Sequence, residues 1–568
     1  MKSTRRFLSY IVVALLGSYL WITWQQTHVK QAPSDLYTVT EKASPKSSNE
    51  NFVPSAFKTN TDSVQDKTKP LAIAEYKAPK VPQSAMITVK TDLLNLKIDP
   101  QGGNIVFAQL LQYPESAQDK SKPITLLDKT DNIWNVAQSG LTNVYTQQPQ
   151  PITFKATKTS YVLKENESSL IVTLQGISKS GLKLTKTYQF NRDDYAIKMA
   201  YSINNMRKKV WSGNLYTQLV QKKSDAALGA MGMRTYTGAS ISSPSKPYEK
   251  YSYKKMQKSP IDRNNQGGWV AFQQHYFLST WVPQNQTQEN HFYTHVNNKN
   301  PNNTLYTIGF ISPEMTIAPG ETKTTQATLY LGPDQPRYLS HLAPGLDHAV
   351  DFGWLYWLSV LIFWVLSHVE SIVGNWGWAI VITTLIIKMV LYPLSSKSFR
   401  SMARMKELQP RIKSLKERHA DDKQALSKET MALYKKEKVN PMGGCLPMII
   451  QIPVFIALYY VLLGSVELRQ APFIFWIHDL SVKDPYYVLP ILMGLSMLLQ
   501  QLITPSAGDP AQAKMMMILP VVMTYVFLKF PAGLVLYWFV NNCTQMIQQS
   551  DVTKKCEKSK DGGKKATT

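Results

Sequence analysis

The chain has 568 residues, with 63 Lys and Arg against 39 Asp and Glu, 44% hydrophobic residues and three Cys. This composition excludes a collagen-like, a wholly disordered or a disulfide-scaffolded protein. The cysteines, Cys445, Cys543 and Cys556, lie in the last quarter, so the first 350 residues contain no disulfide. A net charge of +24 can indicate a nucleic-acid partner. Whether it does so here depends on where the basic residues lie in the sequence.

The N-terminus carries an apolar segment that we interpret as a membrane anchor. Residues 7–27 are uncharged, follow Lys2, Arg5 and Arg6, and are long enough to span the ~30 Å hydrocarbon core. A cleaved signal peptide is the alternative, but bulky residues such as Trp21 stand where a protease needs small ones. We therefore predict an uncleaved anchor over 1–27 with a cytoplasmic N-terminus, followed by a flexible periplasmic linker over 28–85.

A polar region with a period of two follows the linker. Apolar and polar residues alternate along 182–190 and 195–203, on either side of a turn. This pattern predicts an all-β periplasmic sandwich over 86–340. The strands expected within it include Ile87–Ile98, Ile105–Leu111, Leu170–Leu174, Trp269–Trp281 and Thr304–Ile311.

Three aromatic residues of this domain leave two interpretations open. His275, with Tyr276 or Trp281, could line a site for a sugar or a peptide, which sandwiches of this size often bind. They could equally be core and edge residues of a large sheet, and no paired carboxylates stand at a spacing suited to sugar chemistry.

The region after residue 350 consists of long uncharged runs separated by two basic segments. Residues 395–440 contain 13 Lys and Arg and 6 Asp and Glu, and residues 551–568 contain 6 Lys and 3 acidic residues. The positive-inside rule places both segments in the cytoplasm, so an even number of crossings must separate them from each other and from the N-terminus.

That parity fixes the predicted topology. Before residue 395 only the anchor and one further crossing fit, so we predict a transmembrane helix over 376–394 and a Trp-rich interfacial helix within 341–375. Residues 441–550 then hold four crossings, at about 445–464, 486–503, 515–530 and 532–549. The fold class is a polytopic α-helical membrane protein with six transmembrane helices, both termini cytoplasmic, and a large β domain outside.

The basic segment 395–440 is expected to form a cytoplasmic helical hairpin, because apolar residues recur every three or four positions on both sides of a turn near 420–422. A solvated charged spacer is the alternative. The basic tail 551–568 could contact ribosomal RNA phosphates or could be only a topology anchor. The stripes comprise Phe399, Met402, Met405, Leu408, Ile412 and Leu415 on one side, and Leu426, Thr430, Leu433 and Tyr434 on the other.

Lys388 stands out within the predicted second crossing. A charge at the centre of a transmembrane helix costs about 2.5–3.5 kcal/mol on insertion scales, so such a residue is a functional candidate. Snorkelling of the long side chain to the headgroups is the alternative. Many polar residues on the predicted helices favour a water-filled cavity open to the cytoplasm. These residues are Thr384, Gln451, Ser496, Gln500, Gln501, Thr524, Asn541, Asn542 and Gln545.

Motifs for common chemistries are absent from the sequence. It contains no G-x-x-x-x-G-K-[ST], H-E-x-x-H, G-x-S-x-G or C-x-x-C. We therefore predict no enzyme activity, no metal site and no small-molecule cofactor. The membrane region also lacks a matching pair of interrupted helices, which weakens the reading as a small-solute transporter.

Three segments carry a family resemblance. They are GNWGWAIVITTLIIKMVLYPL at 374–394, KVNPMGGCLPMIIQIPVFIALYYVLLGSVELRQAPFIFWIHDLSVKDPYYVLPILMG at 438–494, and FPAGLVLYWFVNN at 530–542. The chain resembles the YidC/Oxa insertase family, of the Gram-negative type with a large periplasmic domain. The resemblance is dense over 339–550 and implies a five-helix core with a hydrophilic groove open to the cytoplasm and the lipid.

The resemblance also assigns residues. The basic groove residue of the family, usually Arg, corresponds to Lys388; the large aromatic near the start of the last helix corresponds to Trp538, preceded by Tyr537; and the Gln of the fourth helix corresponds to Gln501. The expected substrate groove comprises Lys388, Thr384, Gln451, Ser496, Gln501, Thr524, Tyr537, Trp538 and Asn541.

The implied function is a membrane protein insertase and chaperone of the bacterial inner membrane, working alone or with the Sec translocon. Its implied partners are nascent membrane proteins and membrane lipids, with the ribosome a further candidate through the hairpin and the tail. A membrane-anchored periplasmic sugar-binding or carbohydrate-active protein is the alternative. Polar helices and a cytoplasmic hairpin favour the insertase, because a mere anchor needs neither.

Overall fold

The computed structural model describes residues 86–565 except 118, 131–133, 144–151, 179–180, 224–235, 299–303, 420–421, 438–445 and 505–509. The predicted anchor and linker, 1–85, and the last three residues of the tail lie outside the described residues. The hairpin turn at 420–421 also lies outside them.

The first part of the chain forms strands, as the period of two predicts. They are β1 Ile87–Lys90, β2 Leu94–Asp99, β3 Asn104–Pro114, β4 Pro123–Lys129, β5 Trp134–Asn143, β6 Lys155–Ala156, β7 Ser160–Val162, β8 Ser169–Ile177, β9 Leu182–Asn191 and β10 Ala196–Asn205. They continue as β11 Trp211–Lys222, β12 Gly238–Ser243, β13 Lys246–Tyr251, β14 Asp262–Gln266, β15 Val270–Gln273, β16 Phe277–Pro283, β17 Glu289–Asn297, β18 Leu305–Ile311, β19 Met315–Ile317 and β20 Thr322–Pro333.

The described strands form two sheets that pack face to face. The eleven-stranded sheet has the order β14-β17-β18-β11-β5-β4-β3-β2-β1-β7, with β19 beside β11, and the nine-stranded sheet has the order β13-β12-β15-β16-β20-β10-β9-β8-β6. Strand β10 pairs antiparallel with both neighbours, so Ile197 stands opposite Phe190 and Leu329. The predicted sandwich domain is therefore present, with the alternating apolar residues turned inward.

Two segments that were each expected to form one strand form two strands in the structure. The expected strand Ile87–Ile98 is divided by a turn at 91–93, where the Thr91 hydroxyl accepts hydrogen bonds from the backbone of residues 93 and 94. The expected strand Trp269–Trp281 is divided by a turn at 274–276. Polar residues interrupt the apolar pattern at both turns, at 91–92 and at 273–275, so the sequence marks the turns that the expected strands overlooked.

The sandwich core contains large aromatic side chains and one lysine. Trp281 is 1% exposed and its indole donates to the Gln218 carbonyl, 3.2 Å away, so it is a core residue and not part of an open binding site. Lys186 is fully buried, and its Nζ donates to the carbonyls of Gly102 at 3.1 Å and Ser139 at 3.4 Å. Burial lowers its pKa well below the ordinary range of lysine.

The second part of the chain is helical. Two short helices, α1 Tyr253–Lys258 and α2 Pro336–Leu339, belong to the sandwich and its exit. The remaining described helices are α3 Tyr356–Val373, α4 Trp376–Val390, α5 Tyr392–Arg418, α6 Lys423–Lys436, α7 Leu446–Gly464, α8 Val488–Ile503, α9 Pro510–Phe527 and α10 Ala532–Lys565. Their bounds agree within a few residues with most of the predicted crossings, whereas α10 continues beyond residue 550 into the predicted tail.

Length and composition do not settle which helices cross the membrane. Among the described helices, α3 alone is long and apolar enough to span by itself, and α4 with α5 passes as a pair bent by 67°. Shorter apolar helices cover Ile450–Gly464, Val488–Ile503 and Met517–Phe527. The six crossings and the interfacial position of α3 therefore stay predictions.

The hairpin consists of α5 and α6, and the apolar stripe of α5 packs against two different helices. Met405 and Leu408 of α5 pack against Tyr434 of α6. Phe399 and Met402, closer to the membrane helices, pack instead against Val552 of α10. An ion pair of 2.7 Å between Arg411 of α5 and Glu437, the residue after α6, also joins the two helices.

The sandwich contacts the end of α7 and the segment that follows it. The His275 ring nitrogen lies 3.0 Å from the Leu463 carbonyl at the end of α7. Arg469, just beyond α7, donates to the Pro114 carbonyl of β3 at 2.8 Å. His275, which could have lined a sugar site, therefore faces the helical part of the chain.

Candidate functional site

Lys388 lies in the last turn of α4 and points into the helix bundle. The helix begins at the cap Asn375, whose side chain accepts the Trp378 amide at 3.1 Å, so Lys388 is reached after about three turns. Its side chain is only 7% exposed, and its Nζ donates to Gln545 Oε1 of α10 at 3.3 Å. Within the described residues no carboxylate forms an ion pair with it.

A depression surrounds the Lys388 side chain, with about 430 Å³ of empty space including the open solvent at its mouth. Four helices, α4, α5, α7 and α10, contribute to it. We call it the central depression; its lining is Thr384, Ile387, Lys388, Leu391, Leu394, Ser395, Ile450, Gln451, Val454, Tyr537 and Asn541.

Polar groups of the central depression are tied to one another across helices. The Gln451 amide of α7 donates to Asn541 Oδ1 of α10. Asn541 is 3% exposed and Tyr537, one turn earlier on the same helix, is 1% exposed. Thr384 donates to the Ile380 carbonyl of its own helix at 2.6 Å, which leaves an acceptor oxygen one turn from Lys388. Among the residues that line the depression in the described part of the chain, Lys388 is thus the one cation, and the polar groups around it are neutral.

A second polar cluster lies between α8 and α10. Ser496 accepts a hydrogen bond from Asn542 at 3.1 Å, and Gln500 donates to Gln549 at 2.7 Å. Thr524 of α9 donates to the Pro520 carbonyl of its own helix at 2.7 Å and lies against Gly494 of α8. Ser496 and Thr524 are therefore beside α10 and α8, and they do not line the central depression.

The remaining two predicted groove residues lie elsewhere. Trp538 packs among aromatic rings, 4.8 Å from Phe455 and 5.4 Å from Phe527 between ring centroids, and its buried indole N–H has no partner in the described residues. The Gln501 side chain is half-buried and forms no hydrogen bond to another described residue, whereas the side chain of its neighbour Gln500 contacts α10. The structure brings Lys388, Thr384, Gln451, Tyr537 and Asn541 together.

The expected substrate groove omitted three glutamines of α10 that contact this region, although Gln545 was among the polar residues that favoured a cavity. Gln545 accepts from Lys388, Gln548 donates to the Lys388 carbonyl at 3.5 Å, and Gln549 accepts from Gln500. Asn541, Gln545 and Gln548 are spaced by four and three residues and so share one helix face. That spacing is visible in the sequence and could have identified them.

The arrangement suits attraction of a negative charge. No group of three or more His, Cys, Asp or Glu side chains that could hold a metal ion occurs in the described part of the chain. A fixed cation among amides offers one charged donor and many neutral donors and acceptors, which can replace water around a polar segment.

Comparisons with known proteins agree across the whole chain. A family model described as the YidC periplasmic domain matches residues 86–365, and one described as the 60Kd inner membrane protein matches residues 368–560. The chain is 51% identical over 556 residues to a protein of Coxiella burnetii named "Membrane protein insertase YidC", covering 98% of this chain and 97% of that protein.

Further relatives and a solved structure extend the comparison. A protein of the same name from Legionella pneumophila is 45% identical over 571 residues, covering 99% of both chains. A crystal structure described as an active YidC insertase with the first transmembrane domain resolved is 18% identical, covers 83% of this chain and 92% of its own, and has a TM-score of 0.37.

Proposed function

The chain belongs to the YidC family of membrane protein insertases, and on that premise we propose that it inserts and folds integral proteins of the bacterial inner membrane. The observation that carries the mechanism is Lys388: a buried cation without a carboxylate partner in the described residues, set in a depression lined by amides. The central depression is where we propose that an inserting segment first leaves water.

The obstacle to insertion is the polar or acidic end that an inserting segment must carry across. Moving an unpaired charge from water to hydrocarbon is very costly. Two unit charges of opposite sign at 4 Å attract by ~1 kcal/mol in water and ~4 kcal/mol at an effective dielectric of 20. A cation in a partly desolvated depression therefore offsets part of the cost for an acidic tail.

The downhill step in this proposal comes from the client itself. Its apolar helix leaves the depression sideways and enters the lipid, which releases apolar surface from water. The attraction to Lys388 only has to last until that transfer, so no nucleotide is required. The absence of a nucleotide-binding motif from the sequence is compatible with this mechanism.

Lysine in place of arginine at this position limits how the side chain can bind a carboxylate. Arg would offer a planar fork of five donors to a carboxylate, whereas Lys388 offers a compact ammonium with three donors. One of those donors is directed to Gln545, so the ammonium is oriented while its charge remains uncompensated. We propose that Lys388 acts through charge and not through bidentate recognition.

The finer parts of the proposal concern topology and partners. We propose six transmembrane helices, both termini in the cytoplasm, α3 along the outer interface, and the sandwich in the periplasm. The α5–α6 hairpin and the basic end of α10, which pack together through Phe399 and Val552, would receive clients on the cytoplasmic side. The Sec translocon and the ribosome are the proposed partners there.

The proposal is tested by depletion of the host insertase and complementation with this chain, scoring insertion of a small Sec-independent client. We expect the full chain to restore insertion. A matched variant lacking most of residues 40–320 should retain activity, because the central depression is formed by α4, α5, α7 and α10 alone. If the full chain does not restore insertion, and the cells need only its sandwich domain, the alternative of a periplasmic binding protein is the better account.

A further inference from the structure

A second cavity lies at the base of the hairpin, apart from the central depression. Helix α5 contributes Met402 and Lys406, α8 contributes Ile503, and α10 contributes Thr553 and Lys554. It encloses about 540 Å³ of empty space, including open solvent. We call it the hairpin-base cavity. Its buried lining residues are Met402, Ala403 and Gln549, and its exposed ones are Ile503, Lys406 and Lys554, so apolar and basic groups lie side by side, as an amphipathic ligand requires.

The charge of this cavity is uncompensated. Lys406 and Lys554 are both exposed, no carboxylate is among the lining residues, and neither lysine forms an ion pair within the described part of the chain. The neighbouring Lys555, by contrast, is held by Asp551 at 2.8 Å. Two free ammonium groups on either side of one cavity attract an anion.

The position of the cavity follows from the helices that form it. Helix α8 ends at Ile503, and its last turns expose Leu499, Leu502 and Ile503 by 53%, 71% and 43%. Helix α5 leaves α4 at 67°, and α10 changes from apolar to basic residues beyond residue 550. Beside this cavity the apolar helix α8 ends, while α5 and α10 change from apolar to charged residues, which is the composition of a membrane–water boundary.

We propose that the hairpin-base cavity binds one anionic phospholipid of the cytoplasmic leaflet, with its phosphate between Lys406 and Lys554 and its acyl chains along the exposed face of α8. Basic pockets between helices at the cytoplasmic surface are suited to such headgroups. The Thr553 hydroxyl, which donates to the Gln549 carbonyl at 2.8 Å, keeps an acceptor lone pair for a headgroup hydroxyl.

An RNA phosphate would meet the same two lysines, but the surroundings favour the lipid. The apolar lining residues Met402 and Ile503 do not offer the aromatic stacking that single-stranded RNA uses. A bound lipid would also join α5, α8 and α10, and so hold the hairpin in place. The inference rests on the proposed topology, but lipid retention requires no client and is measured without insertion.

The test uses the purified full chain in detergent and native mass spectrometry, titrated with phosphatidylglycerol and with phosphatidylcholine as the neutral reference. Lys406→Gln with Lys554→Gln should weaken retention of one phosphatidylglycerol by about tenfold, to the level of phosphatidylcholine. The matched control removes two charges from exposed positions of α6, by Lys435→Gln with Lys436→Gln, and should leave retention unchanged.

A second control preserves both charges, by Lys406→Arg with Lys554→Arg, and should retain phosphatidylglycerol as the original chain does. It distinguishes loss of charge from a folding defect caused by substitution at these two positions. Equal losses in the glutamine pair and the α6 control would overturn the proposal, as would unchanged retention in the glutamine pair. Loss of binding to an oligouridylate probe with phosphatidylglycerol retention intact would assign the lysines to RNA instead. Insertion of a client, measured separately on the same variants, reports on the proposed function and not on this site.

Discussion

The Lys388 ammonium of α4 donates a hydrogen bond to the neutral amide oxygen of Gln545 on α10, 3.3 Å away. A carboxylate at that distance would pair with the cation and cancel its charge. The amide instead orients the ammonium and leaves its charge available. This pair of residues therefore determines whether the central depression is electropositive.

The first prediction exploits that relationship. Gln545→Glu keeps the size and shape of the side chain and adds a negative charge. The new carboxylate should neutralise the Lys388 ammonium within the depression. We expect insertion of clients with acidic tails to fall about as far as it does in Lys388→Ala, as measured by protease protection of the inserted client. Gln545→Met is the matched neutral control and should insert these clients normally; equal activity of the two variants would contradict the account.

The second prediction concerns the base of the hairpin. Phe399 is 1% exposed and packs with Met402 and Val552, and the half-buried Cys556 lies against this cluster. Phe→Ala in a packed core costs about 3–5 kcal/mol, so Phe399→Ala should separate α5 from α10 locally. In a background with Cys445→Ser and Cys543→Ser, alkylation of Cys556 by a maleimide should become faster.

The control for this prediction lies on the same helix. Leu415→Ala removes a half-buried side chain far from α10 and should leave the alkylation rate of Cys556 unchanged. A Phe399→Ala chain whose Cys556 reacts at the original rate would show that the hairpin base is held by other contacts.

The third prediction is a pH dependence at the junction of the sandwich and the helices. Burial, with the nearby charge of Glu467, raises the pKa of Asp334 to about 8, and burial raises the pKa of Glu467 to about 7. Both groups keep their protons in the folded state at pH values where the unfolded chain releases them. Stability from these groups is therefore fully present below about pH 4 and is lost as pH rises towards 8.

Hydrogen exchange measures this dependence in the full chain. After correction for intrinsic rates, backbone amides of residues 468–471 should exchange faster at pH 8 than at pH 6, because Arg469 and its neighbours dock on β3. Asp334→Asn should remove most of the difference, whereas Asp119→Asn, at an exposed carboxylate, should not. An unchanged pH dependence in Asp334→Asn would exclude this carboxyl as its source.

The fourth prediction concerns topology. In a chain without native cysteines, Cys introduced at the exposed Trp354 should react with an impermeant maleimide from the periplasmic side. Cys at the exposed Lys435 of the hairpin should react only after the membrane is opened. Reaction of position 354 from the cytoplasm would contradict both the parity argument and the interfacial position of α3.

Much of this structure could be predicted from sequence because it follows from local periodicity. The alternation along 182–203 predicted the paired strands β9 and β10, and the apolar stripes of 399–434 predicted the hairpin helices. The family resemblance is confirmed by relatives that are 45–51% identical over nearly the whole chain. The groove residues that lie together, Lys388, Thr384 and Gln451, were identified by their polarity in apolar segments.

What the sequence did not indicate depends on contacts between distant segments. Periodicity marks Phe399 and Met405 as one stripe, but only the packing of α10 shows that they serve different partners. Polarity marks Gln500 and Gln501 alike and the resemblance favoured Gln501, but the helix rotation that turns Gln500 towards Gln549 is set by tertiary packing. The alternation along β9 does place Lys186 on the same face as Leu184 and Tyr188, but a charged residue there gives no sign that it is fully buried and bound to the carbonyls of Gly102 and Ser139.

The most direct test of the central claim is the insertion rate of two matched clients, one with an acidic tail and one with a neutral tail, by Lys388→Ala and Lys388→Arg chains. Losing about 1.4 kcal/mol of the attraction is a tenfold effect, so Lys388→Ala should insert the acidic-tailed client about tenfold more slowly and the neutral one nearly normally. Lys388→Arg should insert both at the original rate. A stable, correctly oriented Lys388→Ala chain that inserts the acidic-tailed client at the normal rate would contradict the account.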